Sequence, residues 1–197
     1  MYSMNMKVLV FGIQGGIGSF NEEAILYYLI KNKIRKYKIK YLYTTKRVLS
    51  ELNKGNIDYG IFALQNSVGG VVDESIRAMA GYKFQIVKEF AIPIKHFLMR
   101  LENVEDKKIN KIMAHPQVLK QCKDTLQSKY SDYKLKSGKG DLVDTAKLAE
   151  ALVKGKIKKE TYILGPKSLS DMYLLKIVDK NLQDDDTNET SFLLVEK

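Results

Sequence analysis

Several residue types are scarce in this chain of 197 residues, which has one cysteine, three prolines, two histidines and no tryptophan. The single thiol, Cys122, cannot form an internal disulfide, which is typical of a reducing compartment. No apolar run approaches the roughly 20 residues of a membrane-spanning helix. Residues 1–7 lack the basic-then-apolar order of a secretion signal. We therefore expect a cytoplasmic protein with no membrane partner.

The scarcity of histidine and cysteine argues against a metal centre. Neither His96 nor His115 has a Cys, Asp or Glu at metal-ligand spacing, so we expect no metal. His96 lies in an extended apolar run and is interpreted as structural. His115 precedes Pro116 at the end of a predicted strand, where a position facing a cleft and a structural role both remain open. Cys122 lies among leucines on a predicted helix and is interpreted as core.

The formal net charge of +10 raises the question of nucleic acid. Only four of the basic residues are Arg, and the lysines concentrate in residues 31–40 and 154–159, where predicted helices end. Cations at helix C-termini favour the helix and coat a solvated face. We therefore expect no nucleic-acid partner, although a positive field would speed the arrival of a small polyanionic substrate.

Strand and helix patterns alternate along the chain, which is typical of an α/β fold. The Ser-x-x-Glu spacing of Ser19 and Glu22 predicts a capped first helix. Apolar runs predict strands over 7–11, 37–43, 59–64, 111–114, 133–136 and 161–164, and amphipathic stretches predict helices over 45–53, 117–130, 142–153 and 168–174.

A long extended run over 84–99 contains Pro93, which a central strand would resist and a strand crossing between lobes would accept. We therefore predict a two-lobed α/β fold with an interlobe cleft. Lobe one would comprise residues 1–92 and 176–197, and lobe two residues 93–175.

A glycine-rich turn lies between the first strand and helix, as a dinucleotide-binding fingerprint would, but its glycine spacing differs from that fingerprint. Gly12, Gly15 and Gly18 are spaced three apart, and the second strand ends without the acid that would hold a ribose. A basic variant through Lys46 or Arg47 stays open, but we expect no cofactor. The free N–H groups of such a turn suit a carboxylate or a phosphate.

Two polar segments follow or precede strands. Gln65, Asn66 and Ser67 end a buried strand, and taken alone they are an ordinary polar turn whose neutral donors could hold a hydroxyl or carboxylate. Residues 184–192 combine acids, an amide and hydroxyls before an apolar terminal strand. The pattern indicates that this end of the chain joins a sheet beside a cleft.

Six segments match, in order over nearly the whole chain, the motifs of one family. They are the glycine turn and helix start at 15–24, the turn at 63–70, the crossing strand with Glu89, Pro93, Ile94 and His96, the His-Pro-Gln segment at 114–122, the helix start at 144–146 and the closing segment at 184–192. Together they resemble the catalytic domain of prephenate dehydratase.

The resemblance implies a two-lobed fold of the type II periplasmic-binding-protein kind. It implies a lyase that converts prephenate to phenylpyruvate with loss of carbon dioxide and water, in phenylalanine biosynthesis. It places the hydroxyl of Thr190 on the leaving group. The substrate-binding positions that it implies are Ser19, Gln65, Asn66, Ser67, Thr145, Ser191 and Phe192, with Phe192 packed behind Thr190.

Four positions depart from the family pattern. Ser191 replaces an arginine, Gln65 a carboxylate, Ala63 a proline and Asp144 a serine. Loss of a guanidinium that anchors a carboxylate would cost roughly 2 to 5 kcal/mol of binding, so Ser191→Arg would raise activity if that anchor is missing. Asp144 would repel a dianionic substrate if it faces the cleft.

These departures keep two alternatives open, a prephenate decarboxylase-like enzyme of altered chemistry and a non-catalytic small-carboxylate-binding protein. In all three readings the partner is a small anionic, prephenate-like molecule, and a homodimer is compatible with each. No regulatory domain of the phenylalanine-binding type follows Phe192, so we expect no feedback inhibition by that route.

Overall fold

The computed structural model describes residues 7–197, and residues 1–6, on which the expected lack of a secretion signal rests, lie outside that range. The strands are β1 (Leu9–Ile13), β2 (Tyr37–Tyr41), β3 (Tyr59–Asn66), β4 (Gly70–Val71), β5 (Gln85–Pro93), β6 (Phe97–Leu101), β7 (Lys111–Met113), β8 (Lys134–Lys136), β9 (Tyr162–Gly165), β10 (Leu175–Lys180) and β11 (Glu189–Glu196). The α-helices are α1 (Phe20–Lys31), α2 (Thr45–Asn53), α3 (Asp73–Met79), α4 (Pro116–Gln121), α5 (Lys123–Lys129), α6 (Thr145–Val153) and α7 (Ser168–Tyr173).

The strands form two sheets, and the predicted two-lobed α/β fold is confirmed. The first sheet has the order β2-β1-β3-β11-β5, with β4 paired to β3, and the second has the order β10-β6-β9-β7-β8. In the first sheet β1 is parallel to β2 and β3, whereas β11 is antiparallel to both of its neighbours. The last strand therefore lies between β3 and β5.

Side-chain caps fix where the first two helices begin. Ser19 accepts a hydrogen bond from the Glu22 N–H, and the Glu22 carboxylate accepts one from Gly18. The first N–H groups of α2, those of Thr45 and Lys46, donate to the carboxylate of Glu74 from α3. The N-termini of both helices thus lie toward the carboxyl ends of β1 and β3. Each is already bound by a carboxylate, that of Glu22 at α1 and that of Glu74 at α2.

The predicted helix over 117–130 is two helices. The chain breaks at Cys122, and two N–H groups in the first turn of α5, those of Asp124 and Thr125, donate to the Asp184 carboxylate at 2.9 and 2.8 Å. Asp184 belongs to the polar segment before β11. The amphipathic pattern predicts one continuous helix, but this carboxylate, distant in sequence, caps the start of a second.

Two segments connect the sheets. The chain leaves the first sheet through residues 94–96 and returns through residues 181–188, because the strand over 175–180 pairs with β6 in the second sheet. The return therefore lies later than the predicted position 176. The two segments bond to each other, from the Ile94 N–H to the Asn188 carbonyl at 2.8 Å and from the Leu182 N–H to the His96 carbonyl at 3.1 Å.

Each sheet buries its own apolar core. The first contains Phe11, Ile25 and Phe192 under α1, and the second contains Leu98, Ile112 and Leu164. Among the described residues no helix combines the length and apolar character that a bilayer crossing requires.

Candidate active site

The side chains of Asn66 and Thr190 meet where β3 ends beside the start of β11. The Asn66 amide nitrogen lies 2.9 Å from the Thr190 hydroxyl oxygen, and the two residues are paired in the strand register. Asn66 and Thr190 are 4% and 8% exposed. The predicted catalytic hydroxyl is thus nearly enclosed by the sheet and held by a neutral donor.

Backbone and side-chain bonds fix the orientation of the Asn66 amide. Its oxygen accepts from the N–H groups of Val68 at 3.1 Å and Gly69 at 2.7 Å, which are donors only. Its nitrogen must therefore face three acceptors that share its two hydrogens, Asn188 Oδ1 at 2.6 Å, the Glu189 carbonyl at 2.9 Å and Thr190 Oγ1 at 2.9 Å. Toward Thr190 the amide can therefore act only as a donor.

This arrangement determines what the Thr190 hydroxyl can do. Because Asn66 donates to its oxygen, the hydroxyl proton points elsewhere, and within residues 7–197 no acceptor takes it. A hydroxyl with a free proton is a donor, which suits protonation of a departing oxygen.

A buried polar chain continues from Asn188 into the second lobe. The Asn188 amide nitrogen lies 3.4 Å from Gln121 Oε1, and the same oxygen is 2.5 Å from His96 Nε2. Asn188, Gln121 and His96 are each under 5% exposed. Sequence reasoning assigned no role to Gln121 or Asn188, although both lie in matched motifs.

His96 is a neutral member of this chain. Burial lowers its pKa to about 4, while the hydrogen bond to Gln121 acts in the opposite direction. Since Gln121 Oε1 is an acceptor, the proton of the neutral ring lies on Nε2. His96 Nδ1 is buried with no partner among the described residues. The predicted structural role fits this location between the lobes.

The other predicted substrate-binding positions near the ends of β3 and β11 do not all lie on the same face of the sheet as Thr190. Ser67 accepts a hydrogen bond from the Glu189 N–H at 3.0 Å, beside the Thr190 pair. Ser191 is paired with Gln65, and because successive strand residues point to opposite faces, Ser191 lies on the other face from Thr190. Phe192 is 1% exposed and stacks on Phe90, so it packs in the core near Thr190.

Ser19 and Thr145 lie on opposite lobes, at the starts of α1 and α6. Ser19 caps α1, and the methyl group of Thr145 packs against Gly165. The two helix starts approach each other, because Asp144 Oδ1 lies 3.6 Å from the point where a Cβ on Gly16 would stand. A second interlobe contact, from the Ser168 hydroxyl to the Gly18 carbonyl at 2.9 Å, lies nearby.

The start of α4 reaches across to the turn after Asn66. Lys120 donates to the Gly69 carbonyl at 3.2 Å, and a Cβ on Gly69 would overlap the Gln117 amide. The Gln117 amide nitrogen is buried and has no partner among the described residues. Gln117 is thus a further polar group beside Asn66, and apart from the His-Pro-Gln motif no sequence pattern indicates it.

His115 lies on the same wall as Gln117. Its Nδ1 accepts from the Gln117 N–H at 3.1 Å, which leaves the Nε2–H of the neutral ring as a donor. Burial lowers the His115 pKa, and the charge of Asp144 opposes that shift. His115 therefore caps α4 and lies within electrostatic reach of Asp144.

Within residues 7–197 no group of three or more His, Cys, Asp or Glu side chains could hold a metal ion. The glycine turn carries Glu22 and Ser19 bonds and approaches Asp144, which disfavours a polyphosphate there. What the site offers instead is a set of neutral donors around one hydroxyl.

Comparison with known proteins identifies the family. The family model described as "Prephenate dehydratase" matches residues 11–197. The chain is 30% identical over 151 residues to prephenate dehydratase from Lactococcus lactis, covering 76% of this chain and 52% of that protein. It is 28% identical over 138 residues to arogenate dehydratase 3 from Arabidopsis thaliana, covering 70% of this chain and 31% of that protein. The chain thus spans about a third to a half of these relatives.

Solved structures share the fold. Prephenate dehydratase from Arthrobacter aurescens, in complex with L-Phe, superposes with a TM-score of 0.83 at 20% identity, over 96% of this chain and 60% of that one. The enzyme from Staphylococcus aureus gives 0.71 at 15% identity, over 95% of this chain and 66% of that one. With the family match over 11–197, these likenesses lead to one conclusion: the chain belongs to the prephenate dehydratase family.

Proposed function

We propose that this chain is a carbon–oxygen lyase that dehydrates and decarboxylates prephenate or its amino-acid counterpart. One observation carries the proposal: Asn66 donates to the Thr190 oxygen and leaves the Thr190 proton without an acceptor among the described residues. The hydroxyl is therefore arranged to give a proton rather than to take one.

The reaction needs one proton at one place. As the bond from the ring to its carboxylate breaks, carbon dioxide leaves and the electron pair enters the ring. The ring becomes aromatic as the carbon–oxygen bond on its far side breaks. In this proposal Thr190 gives its proton to the departing oxygen, which leaves as water, and the hydroxyl is restored from solvent.

The polar chain behind Thr190 keeps that proton directed. Asn188 and Gln121 hold the Asn66 amide from behind, and the neutral His96 adds no competing charge. A preorganised donor costs little reorganisation in the transition state, which is where such an arrangement contributes most. Removing a single member of the chain should therefore lower kcat more than it raises KM.

The partner proposed here is a small anion. The net charge of +10 favours its approach, and Gln117 and the His115 Nε2–H supply neutral donors for its carboxylate oxygens. We place both sheets in one catalytic domain, since Lys120 and Ser168 bond across the lobes. The buried, free Cys122 fits a reducing, cytoplasmic setting. We also propose that the protein forms a homodimer.

Incubation of the purified protein with prephenate tests the function. Phenylpyruvate, followed by the ultraviolet absorbance of its enolate, is the expected product. A non-aromatic decarboxylated product would indicate that Thr190 does not protonate the leaving oxygen. Unchanged prephenate despite binding, with arogenate also unchanged, would indicate a binding protein.

A further inference from the structure

The side chain of Asp144 places a carboxylate on the wall where the two lobes meet. Asp144 is half-buried at the start of α6, and its Oδ1 accepts the Lys147 N–H at 2.9 Å. The same oxygen lies 3.6 Å from the Cβ point of Gly16, in the glycine turn of the other lobe. Its second oxygen accepts no hydrogen bond from any residue in the described range.

No cation neutralises this carboxylate. Asp144 takes part in none of the ion pairs found within residues 7–197. The side chain of Lys147, whose N–H caps onto Asp144, is bound to Glu150 at 3.1 Å and lies over the Tyr43 ring. Burial lowers the pKa of the neighbouring His115, against the effect of Asp144, and so disfavours a cation on that ring.

The charge has consequences for the ligand. Asp144 stands where the resembling family has a serine, which adds one negative charge to this wall. The exchanges at positions 65 and 191 remove one charge of each sign and leave the balance unchanged. A substrate with two carboxylates and a ketone would meet an unpaired carboxylate on this wall, whereas an ammonium in place of the ketone would pair with it.

We propose that Asp144 is a specificity-determining residue that selects a substrate carrying an α-ammonium group, the amino-acid counterpart of prephenate. The inference rests on the proposed dehydratase function and names the substrate class of the same site. Such a substrate is L-arogenate, which keeps the ring, the leaving hydroxyl and both carboxylates of prephenate. The ammonium would take the carboxylate oxygen that α6 leaves free.

The test compares kcat/KM for L-arogenate and prephenate in the wild type and in Asp144→Asn. Asparagine caps a helix as well as aspartate does, so this variant removes the charge and keeps the cap. Asp141→Asn is the matched control, because Asp141 is an exposed carboxylate three residues earlier with no part in the site.

We expect kcat/KM of the wild type to be at least about tenfold higher for L-arogenate than for prephenate. In Asp144→Asn this ratio should fall about tenfold, because kcat/KM falls for L-arogenate and stays the same for prephenate. Asp141→Asn should leave the ratio unchanged. A wild type that prefers prephenate, or an Asp144→Asn ratio equal to that of the wild type, overturns the inference and leaves the dehydratase function standing.

Absence of turnover with both substrates would instead contradict the proposed function. In that case isothermal titration with L-arogenate and with prephenate decides the inference separately. Tighter binding of L-arogenate that Asp144→Asn abolishes supports it, and equal binding of the two compounds overturns it.

Discussion

At the scale of single residues, the Asn66 amide decides the direction of one proton. Its oxygen is fixed by two backbone N–H groups, those of Val68 and Gly69, and so its nitrogen faces Thr190. The orientation follows from which groups can donate, and it leaves the Thr190 proton without an acceptor among the described residues.

Asn66→Asp tests this orientation. A carboxylate at this position cannot donate, so the Thr190 hydroxyl would donate to it and lose its free proton. We expect kcat to fall by about 100-fold with a much smaller change in KM. The matched control is Asn32→Asp, at the exposed far end of α1. Wild-type kcat in Asn66→Asp would show that the amide does not direct the proton.

Single positions were predicted unevenly from the sequence. Asn66, Ser67 and Thr190 lie together because their strands are adjacent, a pairing that the matched motifs imply and the strand register shows. Ser191 follows Thr190, so strand alternation alone predicts that it faces the other way. Gln121 and Asn188 meet through the fold of two lobes, and no local pattern reveals that contact.

At the scale of elements, the start of α4 lies against the turn between β3 and β4. Gly69 lacks a Cβ where the Gln117 amide approaches, and Lys120 bonds to the Gly69 carbonyl. The turn that orients Asn66 is thus also one of the contacts between the lobes. A change at this contact would act on the orientation of the amide as well.

Gly69→Ala tests this contact. The new methyl group would displace Gln117, whose flexible end can move, so the free energy of unfolding should change by less than about 1 kcal/mol. The Gln117 amide would leave the site, and kcat/KM should fall at least about tenfold. Gly81→Ala is the control, because its Cβ makes only an ordinary contact at 3.6 Å. Equal activity of the two variants would remove Gln117 from the site.

Positions 65 and 191 face each other on neighbouring strands of the first sheet. Both residues that depart from the family pattern are cross-strand partners, so a neutral pair, Gln65 and Ser191, stands in place of a carboxylate and a guanidinium. The change is therefore a matched exchange on the face opposite Thr190. We propose that it leaves the substrate anchors in place.

Ser191→Arg alone should then leave activity unchanged, since no carboxylate at position 65 receives the guanidinium. Combined with Gln65→Glu, it should raise the free energy of unfolding by about 0.2 to 1 kcal/mol over the sum of the single variants. Chemical denaturation of the four proteins measures this coupling. A rise in dehydratase activity of Ser191→Arg alone would restore the missing-anchor explanation.

Helices and strands were predicted well where local signals decide them. The bounds of α2 match the prediction because Thr44 caps its start, and Gly55 follows its end. The helix over 117–130 divides because Asp184, distant in sequence, caps α5. The strand over 175–180 joins the second sheet because its partner, β6, lies there, and no periodicity encodes the choice of partner.

At the scale of the whole molecule, both connections between the lobes pass through one buried polar region. His96 lies on the first connection, and its N–H donates to Gln183 on the second at 3.1 Å. The same histidine contacts Gln121 in the second lobe. Its protonation would place an unpaired charge where the lobes join.

Stability should therefore fall in mild acid. The folded-state pKa of His96, about 4, lies below its unfolded value, so the unfolded chain binds the extra proton as pH falls below about 6.5. We expect a loss of about 2 kcal/mol from pH 7 to pH 5 from His96. The half-buried His115, whose pKa is also lowered, adds to it in the same direction.

Urea unfolding at both pH values checks this expectation. His96→Asn should be less stable at pH 7 but lose less stability on acidification, and His115→Asn separates the second contribution. Most carboxylates titrate below this window, and Glu23, whose pKa burial raises, is common to all of these proteins, so the comparison between variants isolates the histidines. An unchanged pH dependence in His96→Asn would contradict the assignment.

The central claim is that Thr190 protonates the departing oxygen, and single-turnover kinetics of Thr190→Val tests it most directly. Valine keeps the shape and removes the hydroxyl, so the rate of aromatic product formation should fall by about 10² to 10⁴ with substrate binding retained. Thr190→Ser should keep a large part of the rate. The exposed Thr187→Val, which loses only a hydroxyl bonded to Asp185, should keep all of it. A Thr190→Val rate equal to that of the wild type would contradict the account.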